Sequence, residues 1–500
     1  VLVRREYFKS GAVLLAEGAA RVGPGASYYS LSMGGGPVGY ASSTIDTTPT
    51  GIEIQNAMVL DIATLGRIQR TALNTMISLT RDLRLVSFLA ILNSEAARFT
   101  ARGTVEGDSV LSVEIEAGGG RPQRRRVRLE RPLVMDALLP LRLAFGGQLE
   151  VGRSYTINLF DPLLMQERAV AVRVLAESTF VLPDSAAPDP ATGRWVPARY
   201  DTVHAWRIGQ EYAGVSLESW IDDQGHVVSA VSPIGFRMDR TAFEIAVENW
   251  RRIRGTAAYA AGPGPDIIAS TAIASNASLD AEALDELRVR LGNVGLEGFD
   301  LSGGRQRLLG DTLVVHRERG VGERPGPPPP LYGARLPMAA ADSALRAALA
   351  AELLVQSDDP RIQAQARRIV GRERRAGRVA ELLTRWVYDN VEKAVAITVP
   401  SAIQVLEERS GDCNEHTVLY VALARALGLP ARTAAGVVYL RGRFYYHAWP
   451  EVWLGEWVAV DPTFGQFPAD AAHLRFVIGG LARQVELIRL IGRLQLEVAR

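Results

Sequence analysis

One cysteine stands among the 500 residues, Cys413, and its neighbours suit a nucleophile. The segment Gly411-Asp412-Cys413-Asn414-Glu415-His416 opens the apolar run TVLYVALARALG, which reads as a helix ended by Gly428 and Pro430. Asp412 as N-cap, with Glu415 three positions on, has the form of a capping box and puts Cys413 in the first helical turn. Unpaired backbone N–H groups and the helix dipole favour a thiolate there, with pKa values lowered to about 3.5–7.5 at such sites. A single thiol forms no internal disulfide and excludes every zinc set that needs two thiolates. Lone cysteines are more often small buried apolar residues, a role that the polar flanks of Cys413 argue against.

Thiol attack on a carbonyl requires a base that takes the thiol proton and returns it to the leaving group. It also requires a carboxylate that holds the base in the useful tautomer. Three strand-like runs follow the cysteine helix, RTAAGVVYL, RFYYHAWPEVWL and EWVAV, joined by tight links that suggest an antiparallel sheet packed on it. His447 lies in the second run and Asp461 directly after the third. Adjacent antiparallel strands lie roughly 5 Å apart, so Asp461 can approach His447 across the sheet. His416 shares a helix face with Cys413 and is a candidate second base or ligand, although capping, packing or substrate contact is the simpler role. A metal site of Cys413, His416 and His447 fits in ligand type but leaves Asp461 without a purpose. The Cys413 backbone N–H is a natural oxyanion donor, and the Gln404 side chain is a second candidate. Trp386, Trp449, Trp453 and Trp457 are expected in the core or the cleft wall. His204, His226, His316 and His473 are expected to be structural or exposed.

The elements that must carry these residues form a multidomain chain. Residues 1–180 read as a β-rich domain of short alternating segments, with Ala63–Ile77 open between helix and strand. The proline-bearing stretch PDSAAPDPATGRW then leads to a mixed α/β module over 195–322, with a hairpin turning at Asp223-Gln224-Gly225 and a helix in TAFEIAVENWRRI. ERPGPPPPLYG opens a Pro-rich linker, 323–337, the clearest boundary in the chain. Helical spacing follows in ADSALRAALAAELL, IQAQARRIVGRERRAGRVAELLTRWVYDNV and SAIQVLEERSGDC. The catalytic domain is placed at 338–483, and 484–500 reads as a C-terminal helix. The glycines of Met33–Tyr40 lack the Lys-Ser/Thr of a phosphate loop and read as a β-turn.

Lys+Arg 56 against Asp+Glu 55 leaves net +1, so no whole-protein field recruits nucleic acid. Lys9 and Lys393 are the sole lysines, which leaves few amines for self-crosslinking. No run of about 18 apolar residues appears, so no transmembrane helix is expected. VLVRREYFKSGAVLLAEGAA is a poor signal peptide, and the initial Val leaves room for an upstream segment that was removed or omitted.

Cysteine at a helix start, Tyr446-His447-Ala448-Trp449 with Glu451 in a strand, and Asp-Pro-Thr after a Trp-bearing strand make a specific ordered pattern. With Arg425-Ala426-Leu427-Gly428-Leu429-Pro430-Ala431-Arg432 after the cysteine helix, it resembles the transglutaminase-like superfamily of bacterial proteins over about residues 340–482. The resemblance implies a papain-like α+β domain with Cys413 as nucleophile, His447 as base and acid, and Asp461 as orienter. It implies a cysteine hydrolase acting on a peptide or isopeptide amide, with protein-glutamine transamidation and a catalytically silent binding fold as alternatives. No cofactor or metal is implied. Protein or peptide is the substrate class, and the β-rich N-terminal region resembles modules that precede such domains and would bind or position a substrate or an envelope partner. The implied location is the bacterial cell envelope or periplasm, with the cytoplasm as the alternative. Pro450 departs from the usual pattern and implies an edge or bulged strand.

Overall fold

The computed structural model describes residues 21–499 apart from short segments at 95–97, 108, 118–121, 131, 162–165, 213–214, 233–234, 261–263, 322–325, 341 and 396–398. The expectation for the first 20 residues lies outside the described residues. The chain folds as two compact units that divide between Ile267 and Ile268.

In the first unit, period-two patterning produces antiparallel strands. In Gly25–Met33, for example, Tyr29, Leu31 and Met33 are buried while the residues between them are partly exposed. Fourteen described strands form one sheet, in which Gly25–Met33 pairs with both Gly36–Thr47 and Phe236–Thr241. Gly34 and Gly35 hold φ of 57° and 83°, as a tight hairpin needs, so the glycine run is a turn. Ala63–Ile77 is a strand, a turn and a strand. The helix Leu139–Phe145 buries Leu139, Leu141, Leu143 and Phe145.

The expected boundary between 180 and 195 is a hairpin instead. Gln166–Pro188 and Trp195–Tyr212 stay paired as far as Pro188↔Trp195, and a turn between Asp189 and Arg194 closes them. Prolines fit because the ladder shifts register near Pro183 and the arms are solvated, which is why the stretch resembles a connector. The hairpin at 223–225 and a helical segment at Glu244–Arg254 lie where expected.

In the second unit, α1 (Pro360–Val370), α2 (Ala376–Asn390) and α3 (Ala402–Glu408) precede α4 (Cys413–Ala426). In ADSALRAALAAELL only Ser343–Ala347 is helical. Strands β1 (Ala431–Leu440), β2 (Arg443–Trp453), β3 (Trp457–Ala459) and β4 (His473–Ile478) follow, with spatial order β3-β2-β1-β4. One core joins the helices to this sheet through Leu383, Leu419, Tyr420 and Val452. A second core joins the sheet to a four-stranded one through Val289, Val315, Val437 and Phe476.

That four-stranded sheet corrects two further expectations. In it Glu286–Gly292 pairs on one side with Thr312–His316 and on the other with the last described strand, Gln495–Val498, so part of the 195–322 module belongs to the second unit, and 484–500 is a short 3-10 helix, Val485–Arg489, followed by a strand and not one helix. Leu496 and Val498 are buried while Gln495 and Glu497 are exposed, a period of two, and Gly492 at φ 70° breaks any helix before them. The Pro-rich stretch is not a free linker where it is described. Leu331 donates to the Leu454 carbonyl at 2.7 Å and Leu336 to that of Arg374 at 2.8 Å, which ties the stretch to the helical core. Among the described residues no helix is long and apolar enough to cross a membrane.

Candidate functional site

The start of α4 is built as its sequence predicts. The Asp412 side chain accepts from Asn414 N at 2.7 Å, and Glu415 Oε2 accepts from Asp412 N at 3.0 Å. Gly411, at φ 158°, sits against the Glu415 side chain, where an added Cβ would meet Glu415 Cβ at 2.3 Å. This close approach seats the capping box and puts Cys413, half-buried, at the first helical position.

β2 carries His447, paired with Gly436 of β1, and β3 pairs with the end of β2 so that the chain delivers Asp461 beside it. His447 Nε2 donates to Asp461 Oδ2 at 2.7 Å. Cys413 and His447 line one cavity, and the Ala448 N–H faces the Cys413 sulfur. All three sequence-predicted residues therefore come together. The β1–β2 ladder runs through Pro450 without a bulge. Its carbonyl accepts from Val460 at 3.0 Å, so the missing N–H falls on that side, away from β1.

Asp461 is fully buried and fully bonded. Oδ1 accepts from Thr463 N at 2.7 Å and Phe464 N at 3.1 Å, while Oδ2 accepts from His447 and from His473 Nε2 at 2.9 Å. Burial alone would raise its pKa, but the two imidazoles beside it hold the carboxyl well below the usual carboxylate range. His473, expected to be structural or exposed, is buried, and β4 brings it onto the same carboxylate oxygen. Its Nδ1 donates to Asp470 Oδ1 at 2.8 Å. Burial would lower its pKa, but Asp470 and Asp461 overcome that and raise it to about 9. The one sequence cue was Asp470 three residues before His473, too common a spacing to single out.

The ligand atoms of His447, Asp461 and His473 lie within 4.8 Å of one another. Both rings already direct N–H groups at the Asp461 oxygen, an arrangement that serves protons better than an ion. Phe464, also unforeseen, stacks on His447 with ring centroids 4.9 Å apart and planes 9° from parallel. Trp449 is buried beside it, its ring centroid 6.1 Å from that of His447.

The thiol itself departs from expectation. Burial is the main influence and pushes the Cys413 pKa well above its ordinary value. The carboxylates of Asp412, Glu415 and Asp461 push it the same way, against the Ala448 N–H. Burial and the acidic groups that cap the helix therefore favour the protonated thiol, against the pull of the helix start. His416 is buried, with Nδ1 2.7 Å from the Asp412 carbonyl and Nε2 3.3 Å from that of Val391; burial lowers its pKa, which suits a packing role. Gln404 Nε2 donates to Glu408 at 3.0 Å, and Gln404 is not among the residues lining the Cys413 cavity. Glu451 is a buried strut: it accepts from Arg475 at 2.8 Å and from Arg432 at 2.6 Å, which ties β2 to β1 and β4.

The model of the transglutaminase-like superfamily matches residues 363–462. No curated protein matches the chain. Among solved structures, a "Putative Cysteine Protease" from Cytophaga hutchinsonii is 17% identical, with 42% of this chain and 83% of that one covered and a TM-score of 0.28. A β-barrel-like protein of the DUF1849 family from Brucella abortus is 14% identical, with 44% and 97% covered and a TM-score of 0.31. A DUF1089 family protein from Pseudomonas aeruginosa is 11% identical, with 38% and 87% covered and a TM-score of 0.21. The family match runs from within α1 to the residue after Asp461, and this part of the chain is a transglutaminase-like domain.

Proposed function

We propose that the protein is a thiol-dependent acyl-transfer enzyme that hydrolyses a peptide or isopeptide amide through Cys413, His447 and Asp461. The observation that carries this reading is the 2.7 Å bond from His447 Nε2 to Asp461, which leaves Nδ1 as the ring's acceptor in the cavity shared with Cys413. In the proposed cycle Cys413 Sγ attacks the carbonyl carbon as its proton passes to His447. The imidazolium then protonates the leaving amine, and a thioester remains. His447 next deprotonates a water that attacks the thioester, releasing the acid and restoring the thiol. Burial and the neighbouring carboxylates favour the protonated thiol, so in this reading proton removal accompanies attack and the weight of catalysis falls on His447.

To test this, the wild type and Cys413→Ala are incubated with amide and isopeptide peptides, with and without a labelled primary amine. Release of new amino groups by the wild type alone supports hydrolysis. Incorporation of the labelled amine would replace it with transamidation, and equal activity of Cys413→Ala would end the thiol mechanism.

A further inference from the structure

A cavity of about 200 Å³ adjoins the thiol. Cys413, Tyr446 and His447 line it on one side, and Leu487, Ile488 and Ile491 line it from the segment near the C-terminus. That second wall is held firmly. Leu487, Leu490 and Leu494 are buried in the core between the two sheets, and Gln495–Val498 is paired beyond them. Arg483 meets Asp300 at 3.1 Å, and the Arg489 guanidinium lies 4.5 Å over the Phe299 ring. The volume falls below the roughly 300–1,000 Å³ of a drug-sized ligand site and suits a single side chain. A second observation points to an occupant. Tyr446 and Asn414 both line the cavity, and the Tyr446 hydroxyl and Asn414 Oδ1 are buried without a hydrogen-bond partner among the described residues. Buried polar groups are ordinarily paired, and a peptide supplies both an N–H and a C=O.

We propose that Leu487, Ile488 and Ile491 form the specificity subsite of this enzyme, taking a branched aliphatic or aromatic side chain of the acyl donor. This rests on the acyl-transfer reading for the meaning of the bound group. Residues 487–491 thereby belong to the substrate site, although the family match ends at residue 462.

The test measures the labelling rate of Cys413 by chloroacetamide, N-isobutyl-chloroacetamide and N-benzyl-chloroacetamide, each normalised to its rate with free cysteine and read by intact mass. The subsite predicts normalised rates at least about 10-fold higher for the two apolar reagents, the scale expected for burying such a group. Ile488→Trp, which fills the cavity, brings the normalised rates of the two apolar reagents down to or below that of the parent reagent. Ile488→Ala, which enlarges the cavity, shifts preference towards the benzyl reagent and serves if the tryptophan variant does not fold. Equal rates in the wild type, or a preference unchanged in both variants, overturn the subsite. Selective labelling together with no turnover of any amide would uphold the subsite and sink the acyl-transfer reading instead.

Discussion

The two imidazoles on Asp461 Oδ2 differ in what stands behind each. His473 has a second carboxylate, Asp470, on its far nitrogen and is sealed from solvent. His447 has the Cys413 cavity behind it and the Phe464 ring on its face. A ring that donates from both nitrogens to carboxylates holds both protons, so His473 is a fixed positive charge between two negative ones. His447 shares only one carboxylate, through Nε2, and leaves Nδ1 for the proposed exchange with the thiol. In the proposed reading one carboxylate anchors a structural cation and orients the base, and burial of the far side decides which ring does which.

The sharpest way to break this contrast is to remove each ring in turn. His447→Ala should lower turnover by about 10²–10⁴-fold, the usual contribution of a positioned general base, with a smaller loss of stability than His473→Ala because His473 still faces Asp461. His473→Ala should act first on folding, costing about 3–5 kcal/mol because Asp461 and Asp470 are left buried against each other. If His473→Ala kept its stability and lost as much activity as His447→Ala, the division of labour would be wrong.

A pH series sharpens the same comparison. His473 is raised in the folded state from about 6.5 to about 9, so its contribution to stability is complete below the unfolded value and is lost as pH rises through the folded one. Chemical denaturation between pH 6 and 10 should show stability falling towards the alkaline end in the wild type. The slope should be much flatter in His473→Gln, and an equal slope in both would assign the effect to other groups. The smallest expected effect is at Phe464. Stacked aromatic pairs contribute about 0.5–1.5 kcal/mol, so Phe464→Ala should cost no more stability than that and slow turnover by about 2- to 10-fold through a looser His447 ring, read as a fall in kcat.

Much of the site was legible because it is local. The capping box around Cys413, the alternation that makes β1 and β2, and the position of Asp461 just past β3 all follow from neighbours within a few residues. His473 was not legible because its strand returns beside β1 and not beside β3, a pairing that local pattern does not encode. The closing strand escaped for the same reason, since Val498 pairs with Val289, far back in the chain. Prolines in a long hairpin concealed the continuity of the first sheet. The thiol was misjudged in direction because a helix start is visible in sequence, whereas burial among Asp412, Glu415 and Asp461 is not.

The central claim, acyl transfer through Cys413 with His447 as base, is tested most directly by trapping the intermediate. An activated acyl ester is mixed with the wild type, quenched in acid within the first turnover, and mapped by mass spectrometry. The account predicts one acyl group on Cys413, released by hydroxylamine and strongly reduced in His447→Ala. Acylation at another residue, or equal acylation of Cys413 in His447→Ala, would contradict it.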